Sequence, residues 1–194
     1  MTKEQAGPEK RCILILGGAR SGKSRFAQQL ATGLGDRVLF VATAEARDEE
    51  MGRRIESHRE SRPPAWCTVE APLHVGRRIL EQVGDAQVVV LDCLTVLVSN
   101  VVGDCTTEAH LEADDAQMIE QRLDVELDEL MRAVDAIDAS CVIVSNEVGL
   151  GLVPANRLGR LYRDLLGKVN RALAERADDV YFMAAGIPLQ LKPR

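Results

Sequence analysis

Short apolar runs alternate with amphipathic stretches along most of the chain. Runs rich in β-branched residues predict strands at residues 12–16, 38–43, 88–92, 141–146 and 180–184. Because these runs are apolar throughout, helices are expected to cover both faces of a mainly parallel sheet. Gly186 and Pro188 punctuate a turn, after which residues 187–191 are predicted to add an edge strand.

Two long helices are predicted from apolar positions that recur every three or four residues. The first has its stripe over residues 116–137, and the second over residues 158–173, after Pro154-Ala155-Asn156. Residues 101–115 are predicted to form a variable loop. The acidic residues on the other face of the first helix, which we expect to be solvated, are Asp124, Asp128, Glu129 and Asp135.

The composition is typical of one compact domain. A chain of 194 residues that is 46% hydrophobic and 28% charged can bury a sizeable core without help from a metal or a disulfide. Residues 11–194 are predicted to form that single domain, and the polar residues 1–10 a disordered tail. The net charge of −6 argues against a nucleic-acid-binding scaffold but allows a local basic pocket.

The cysteines indicate a reducing compartment. There are five, an odd number, and none forms a C-x-x-C pair. The polar N-terminal segment also lacks the apolar core of an export signal. We therefore expect a cytoplasmic protein without a membrane span.

A phosphate-binding loop directly follows the first predicted strand. Residues 17–24 read Gly-Gly-Ala-Arg-Ser-Gly-Lys-Ser, which matches G-x-x-x-x-G-K-S/T. The following helix, with Phe26 and Leu30 on one face, directs its N-terminal dipole at the same anion. Lys23 is expected to be a solvent-facing charge that can reach the β/γ-phosphate oxygens, and the Ser24 hydroxyl can bind Mg²⁺. The predicted nucleotide-binding residues of the loop are Gly17, Gly18, Ala19, Arg20, Ser21, Gly22, Lys23 and Ser24.

Asp92 is the best candidate for a carboxylate on the Mg²⁺ side of the nucleotide. It closes an apolar strand, and such a position beside a phosphate loop is where a carboxylate holds Mg²⁺, usually through water. Ser24 and Asp92 are therefore the predicted metal residues. The alternative is that Asp92 caps a helix that starts near Leu94.

An arginine-rich segment surrounds His58. Helical spacing places Met51, Ile55 and His58 on one face before Pro63 ends the helix. A histidine on an apolar stripe is by default packed, and a charge run is by default solvated. The alternative is polyphosphate capture beside an imidazole nucleophile. His74 has no partner pattern and is interpreted as a surface residue. The arginines of the segment are Arg53, Arg54, Arg59 and Arg62.

Four motifs together resemble one enzyme family. The phosphate loop is widespread, whereas Arg54-Ile55-x-x-His58-x-x-x-Arg62-Pro63 and the run Ser145-Asn146-Glu147-Val148-Gly149-Leu150-Gly151-Leu152-Val153-Pro154 are much narrower. With Val41-Ala42-Thr43-Ala44, they resemble the bifunctional adenosylcobinamide kinase / adenosylcobinamide-phosphate guanylyltransferase family over about residues 12–191. The resemblance implies an α/β P-loop NTPase fold, a RecA-like three-layer arrangement with a mainly parallel sheet.

The resemblance also implies two reactions. Adenosylcobinamide is phosphorylated with ATP or GTP, and GMP is then transferred from GTP to adenosylcobinamide phosphate, which gives adenosylcobinamide-GDP and pyrophosphate. The guanylylated histidine of the family falls on His58, so the implied catalytic residues are His58 and Lys23. A homotrimeric assembly is also implied by the resemblance. Beyond the phosphate loop, the implied nucleotide contacts are Ala42, Thr43, Ala44, Arg59, Glu60, Ser61, Arg62, Glu70 and Asp92.

Two other classes stay open. A P-loop small-molecule kinase without guanylyltransferase activity would keep the phosphate loop and Asp92 and leave His58 structural. A RecA-like ATPase or binding module would hydrolyse nucleotide to drive assembly, which the acidic balance disfavours. Trapping of GMP on the protein separates the first of these from the bifunctional enzyme.

Overall fold

The computed structural model describes residues 10–45, 49–60, 62–105 and 113–194, with the side chains of residues 50, 51, 54, 55, 57, 58, 113 and 114 outside this description. In chain order the elements are β1 (Cys12–Gly17), α1 (Lys23–Leu34), β2 (Val38–Ala42), α2 (Glu49–Glu60), β3 (Cys67–Glu70), α3 (Val75–Gln82), β4 (Val88–Asp92), α4 (Leu94–Cys105), α5 (Ala113–Ala136), β5 (Ser140–Val144), α6 (Arg157–Arg176), β6 (Asp179–Ala184) and β7 (Ile187–Lys192).

The strands form one sheet of seven in the order β3-β2-β4-β5-β1-β6-β7. All neighbours are parallel except β6 and β7, which are antiparallel, so the predicted mainly parallel sheet and the edge strand are confirmed. In this P-loop fold, β5 separates the strand before the phosphate loop from the strand that ends in Asp92. Strand β3 was not predicted from sequence, because Val69 is its buried residue and its neighbours are exposed.

Each face of the sheet has its own core, because successive strand side chains point to opposite faces. On one face, Leu14, Val41 and Leu91 pack with the apolar sides of α3, α4, α5 and α6. On the other face, Ile15 and Phe40 pack against α1. The structure therefore has three layers, as the resemblance implies.

The region between α4 and α5 corrects one prediction. Residues 101–115 were expected to be a loop, but α4 continues to Cys105 and α5 begins at Ala113. Helix α4 extends this far because Leu97, Val98, Val101 and Val102 bury one helical face. The rest of the predicted loop, residues 106–112, lies outside the described residues.

The acidic face of α5 is not simply solvated. Lys168 on α6 lies 2.7 Å from a carboxylate oxygen of Asp124, and Arg176 pairs with Asp135. Half-buried Glu129 faces α3 instead. These residues join α5 to its neighbours, which helical periodicity alone could not predict. Residues 1–9 of the predicted tail lie outside the described residues, while Lys10 donates a hydrogen bond to the carbonyl of Asp135.

We predict that Gly76→Ala destabilises the fold by about 3 kcal/mol, because α3 and α5 are too close at this point to admit a side chain. A Cβ at Gly76 would lie 2.2 Å from the carbonyl oxygen of Glu129. Gly167→Ala on α6 is the matched control, since its Cβ would meet nothing within 4 Å, and it should add about 0.5–1 kcal/mol. Urea unfolding measures both changes. Equal stability of the two variants would contradict the close contact.

Candidate active site

The carboxyl ends of the central strands bring the predicted site residues to one edge of the sheet. The phosphate loop follows β1, Ala42-Thr43-Ala44 follows β2, Asp92 ends β4, and Ser145-Asn146-Glu147 follows β5. Ligands of parallel α/β sheets bind at this edge. The segments that follow β2, β4, β5 and β1 are therefore adjacent at this edge.

The phosphate loop is held by backbone hydrogen bonds from both sides. Glu147 N–H donates to the Gly17 carbonyl at 3.0 Å, and Gly186 N–H donates to the Ser21 carbonyl at 3.0 Å. Gly22 has a φ of 95°, a conformation that glycine adopts without strain, and it is the N-cap of α1. Because Gly22 has no side chain that could cap α1, the first amide N–H groups of the helix are left available to an incoming anion.

The orientation of Lys23 differs from the sequence expectation. Its charge was expected to face solvent, but the residue is 7% exposed. The Nζ atom donates to the Gly18 carbonyl at 2.6 Å, because the long side chain folds back under the loop. Burial lowers the pKa of the Lys23 ammonium, while neighbouring Cys93 and Asp92 act in the opposite direction. The ammonium thus lies inside the loop that binds phosphate.

Thr43 ties the ends of β2 and β4 together. It is fully buried, and its hydroxyl both donates to the Cys93 carbonyl at 2.8 Å and accepts from the Cys93 N–H at 3.0 Å. The amide of Asn100 donates to the Thr43 carbonyl at 2.9 Å. Thr43 was implied as a nucleotide contact, but its hydroxyl is engaged inside the protein. Its structural effect is to fix the backbone that carries Asp92.

Arg62 lies over an aromatic platform next to Asp92. Its guanidinium carbon is 3.6 Å from the centroid of the Phe40 ring, and Phe40 stacks on Trp66 at 6.4 Å. Nη1 donates weakly to the Thr68 hydroxyl at 3.4 Å. Burial lowers the pKa of the Arg62 guanidinium, while Asp92 opposes this shift. The Asp92 carboxylate is therefore within electrostatic reach of both Arg62 and Lys23.

The other predicted contacts are less enclosed. Arg59, Glu60 and Glu70 are exposed, and Ala44 is half-buried. Within the phosphate loop, Gly18, Ala19 and Arg20 are exposed and Ser21 is buried. His58 lies in α2, but its side chain is outside the described part of the structure, as is Ser61.

A buried polar network beside the site was not identified from sequence. The Ser145 hydroxyl donates to Asn170 Oδ1 at 2.7 Å, and Asn146 N–H donates to the Thr95 hydroxyl at 2.7 Å. The Tyr162 hydroxyl donates to the Thr95 carbonyl at 3.0 Å, and burial raises the pKa of Tyr162 to about 12. The sequence feature that could have indicated this network is Asn170, a polar residue directly after Val169 in the apolar stripe. These bonds fasten the segment after β5 to α4 and α6.

Ser24 and Asp92 fit the chemistry of Mg²⁺. Ser24 is half-buried in the first turn of α1, and Asp92 is half-buried at the end of β4. A hydroxyl and a carboxylate are the hard oxygen ligands that Mg²⁺ prefers, with water completing its shell. The sheet brings both to the edge where the phosphate loop lies.

Comparison with known proteins adds independent information. Residues 13–191 match the family described as cobinamide kinase / cobinamide phosphate guanyltransferase. The chain is 41% identical over 180 residues to the bifunctional adenosylcobalamin biosynthesis protein CobU of Escherichia coli (strain K12), covering 93% of this chain and 99% of that protein. It is 42% identical over 179 residues to the bifunctional adenosylcobalamin biosynthesis protein CobP of Pseudomonas aeruginosa, covering 92% and 96%.

A comparison with solved structures aligns the chain with the RadB recombinase. The TM-score is 0.47 at 15% identity, over 89% of this chain and 73% of that chain. A likeness at this level carries no information about activity. Among the described residues, no helix has both the length and the apolarity needed to cross a bilayer.

We predict that Thr43→Val destabilises the protein by about 1–3 kcal/mol. Valine has nearly the same shape but leaves the buried N–H and carbonyl of Cys93 without the hydroxyl that pairs with both. The control is Thr32→Val, since Thr32 is exposed and its hydroxyl donates to the Gln28 carbonyl within one helix. Chemical denaturation measures both, and a cost for Thr43→Val no greater than that of the control would refute the role of this clamp.

Proposed function

Since this chain belongs to the cobinamide kinase / cobinamide phosphate guanyltransferase family, we propose that its phosphate loop, Asp92 and His58 carry out both reactions of that family. The chain is a bifunctional enzyme of cobalamin biosynthesis. It phosphorylates adenosylcobinamide and then transfers GMP from GTP to adenosylcobinamide phosphate. The observation that carries the assignment of residues is that Asp92, at the end of β4, acts electrostatically on both Lys23 and Arg62.

The phosphate loop is proposed to hold the triphosphate of GTP or ATP. The N–H groups of residues 17–24 and the helix dipole of α1 stabilise the β- and γ-phosphates. Lys23 needs to turn its ammonium from the Gly18 carbonyl toward the phosphate oxygens, which are better acceptors for a cation. Ala44 and Glu70 are proposed to line the nucleotide from the neighbouring strands, and the buried residues Ala42 and Thr43 to fix the backbone that carries them.

Ser24 and Asp92 are proposed to hold Mg²⁺ at the same edge. Bound there, Mg²⁺ neutralises phosphate charge and orients the triphosphate. The Ser24 hydroxyl contributes one oxygen, and the Asp92 carboxylate binds through water. The charge of Asp92 also attracts Lys23 and Arg62, so the same carboxylate orients the groups that contact phosphate.

His58 is proposed to be the nucleophile of GMP transfer. A neutral imidazole nitrogen forms a bond to the α-phosphorus of GTP, and the bond to the pyrophosphate oxygen breaks. An oxygen of adenosylcobinamide phosphate then attacks the same phosphorus, and the nitrogen–phosphorus bond breaks. Arg59, Glu60, Ser61 and Arg62 follow the histidine, and the guanidinium of Arg62 is already ordered on Phe40. A pre-positioned guanidinium stabilises developing phosphate charge with little loss of entropy.

The enzyme is further proposed to be a cytoplasmic homotrimer. All five cysteines are free, which supports a reducing compartment. Exposed apolar side chains support association: Leu150, Leu152 and Val153 after β5 and Ile187, Leu189 and Leu191 on β7. The corrinoid substrates, adenosylcobinamide and its phosphate, are also large enough to bind against these exposed apolar surfaces.

We predict that labelled GTP leaves GMP covalently on His58, in an acid-labile and alkali-stable bond. His58→Ala should abolish the labelling and reduce guanylyl transfer by at least 10³-fold, because the two-step route is lost. Kinase activity should survive, since that reaction needs no histidine adduct. The matched control is Ser57→Ala in the same helix, which should label like the wild type.

Three outcomes of this experiment are decisive. Labelling of His58→Ala at the wild-type level would reject His58 as the nucleophile. A wild-type protein that phosphorylates adenosylcobinamide but never accumulates or transfers GMP would favour the kinase without guanylyltransferase activity. Nucleotide hydrolysis without a phosphorylated small product would favour the ATPase or binding module.

We also predict that Asp92→Asn raises the Mg²⁺ concentration needed for half-maximal activity by about tenfold, because an amide lacks the charge that a hard cation prefers. Thermal stability should change little. The control is Asp85→Asn, which removes a charge near the opposite end of β4, where Asp85 pairs with Arg37 on the surface. Mg²⁺ titrations of activity and thermal melts test both variants. Identical Mg²⁺ curves would eliminate the metal role, and a large loss of stability would favour helix capping by Asp92.

A further inference from the structure

A histidine and two glutamates meet where α3 packs on α5, outside the proposed active site. His74 Nδ1 lies 3.4 Å from Glu126 Oε1 and 3.7 Å from Glu129 Oε2. One ligand atom from each of the three residues lies within 4.8 Å of the others. His74 was interpreted from sequence as a surface residue without partners. It is indeed largely exposed, but the two glutamates lie against its imidazole.

The carboxylates of this cluster are only partly satisfied. Glu126 is 4% exposed, and its Oε1 accepts a hydrogen bond from the backbone N–H of His74 at 2.9 Å. The Oε2 atoms of Glu126 and Glu129 are buried and have no hydrogen-bond partner among the described residues. The Oε2 atom of Glu129 is also the one that faces His74 Nδ1. Two adjacent, desolvated carboxylates are costly unless a positive charge lies between them.

We propose that His74, Glu126 and Glu129 bind a divalent transition-metal cation of the Zn²⁺ class. Around a tetrahedral Zn²⁺ with bonds of 2.0–2.2 Å, neighbouring ligand atoms are about 3.3–3.6 Å apart. The two separations from His74 Nδ1, 3.4 and 3.7 Å, need little adjustment to meet this. The fourth position is filled by water, because the His74 side chain is 58% exposed and leaves the site open on that side.

The donor set selects the class of metal. An imidazole nitrogen with two carboxylate oxygens suits Zn²⁺ and its neighbours in the first transition row, whereas Mg²⁺ and Ca²⁺ prefer oxygen ligands throughout. This site therefore differs in chemistry from the proposed Mg²⁺ site at Ser24 and Asp92. Binding of one metal does not require the other.

The cation cross-links two elements. His74 is the N-cap of α3, and both glutamates belong to α5, so the metal joins the start of one helix to the middle of the other. The segment before His74 is also tied to the active-site edge, because Asn100 donates to the carbonyls of both Pro72 and Thr43. A metal here stabilises the α3–α5 packing and steadies the backbone near Thr43.

The test is a titration of the full, untagged chain with Zn²⁺ after treatment with a chelator, in saturating Mg²⁺ to occupy the active-site metal position. Calorimetry should give one Zn²⁺ per chain, and the Tm should rise by about 5 °C at a free Zn²⁺ concentration about 100 times the Kd. Co²⁺ in place of Zn²⁺ should give the visible absorption of a low-symmetry, four-coordinate site.

His74→Asn and Glu129→Gln should each weaken Zn²⁺ binding at least tenfold and remove the Tm shift. Asparagine suits position 74 because His74 has a φ of 52°, a conformation that asparagine tolerates better than most residues. Asp128→Asn is the control, since it removes the same charge from an exposed neighbour on α5. It should bind Zn²⁺ like the wild type.

The metal-free melts separate a metal site from a structural ion pair. If the proposal is right, the metal-free Glu129→Gln variant melts at or above the Tm of the metal-free wild type, because the substitution relieves repulsion between the two carboxylates. A fall in its metal-free Tm together with no response of the wild type to Zn²⁺ would overturn the proposal. So would Zn²⁺ binding that survives in both variants and is lost in Cys67→Ser, which would locate the metal at an exposed thiol.

Discussion

Burial of both faces of the parallel sheet is the constraint on which the rest of this structure depends. Strands such as β1 and β4 are buried on both sides, so they leave no face for chemistry. Polar groups are left at the carboxyl ends of the strands, where the backbone leaves the sheet. For this reason, the phosphate loop, Thr43 with its hydrogen bonds to Cys93, and Asp92 all lie at one edge of the sheet. The order of that edge depends on the hydrogen bonds that join its loops.

Local patterns in the sequence predicted the elements whose apolar positions or motif residues lie close together along the chain. The apolar runs located the central strands to within two residues, and the phosphate-loop motif located the nucleotide edge. Strand β3 and helix α3 were not predicted, because each buries few residues: Val69 in the strand, and Val75, Gly76 and Ile79 in the helix. A four-residue strand and an eight-residue helix offer few positions from which a periodic pattern can be recognised.

The sequence identified candidate residues for the site but did not predict how their side chains are oriented. The motif correctly identified Lys23 as part of the loop, yet the burial of its ammonium depends on the path of the loop backbone. The hydroxyl of Thr43 pairs with Cys93, which is fifty residues away along the chain. His74 meets Glu126 across a similar sequence distance, 52 residues. No spacing rule links positions so far apart, because the sheet order sets their proximity.

The conformation of the phosphate loop depends on the hairpin between β6 and β7 as well as on the residues of the loop itself. Its two-residue turn, Ala185-Gly186, has positive φ values of 50° and 83°, as the tight reverse turns between twisted strands require. Gly186 also donates to Ser21, and a Cβ on Gly22 would lie 3.3 Å from the Gly186 Cα. In related sequences, a residue larger than glycine at position 22 should be accompanied by a change in the turn at positions 185 and 186. Covariation between these distant positions would record a contact that neither motif contains on its own.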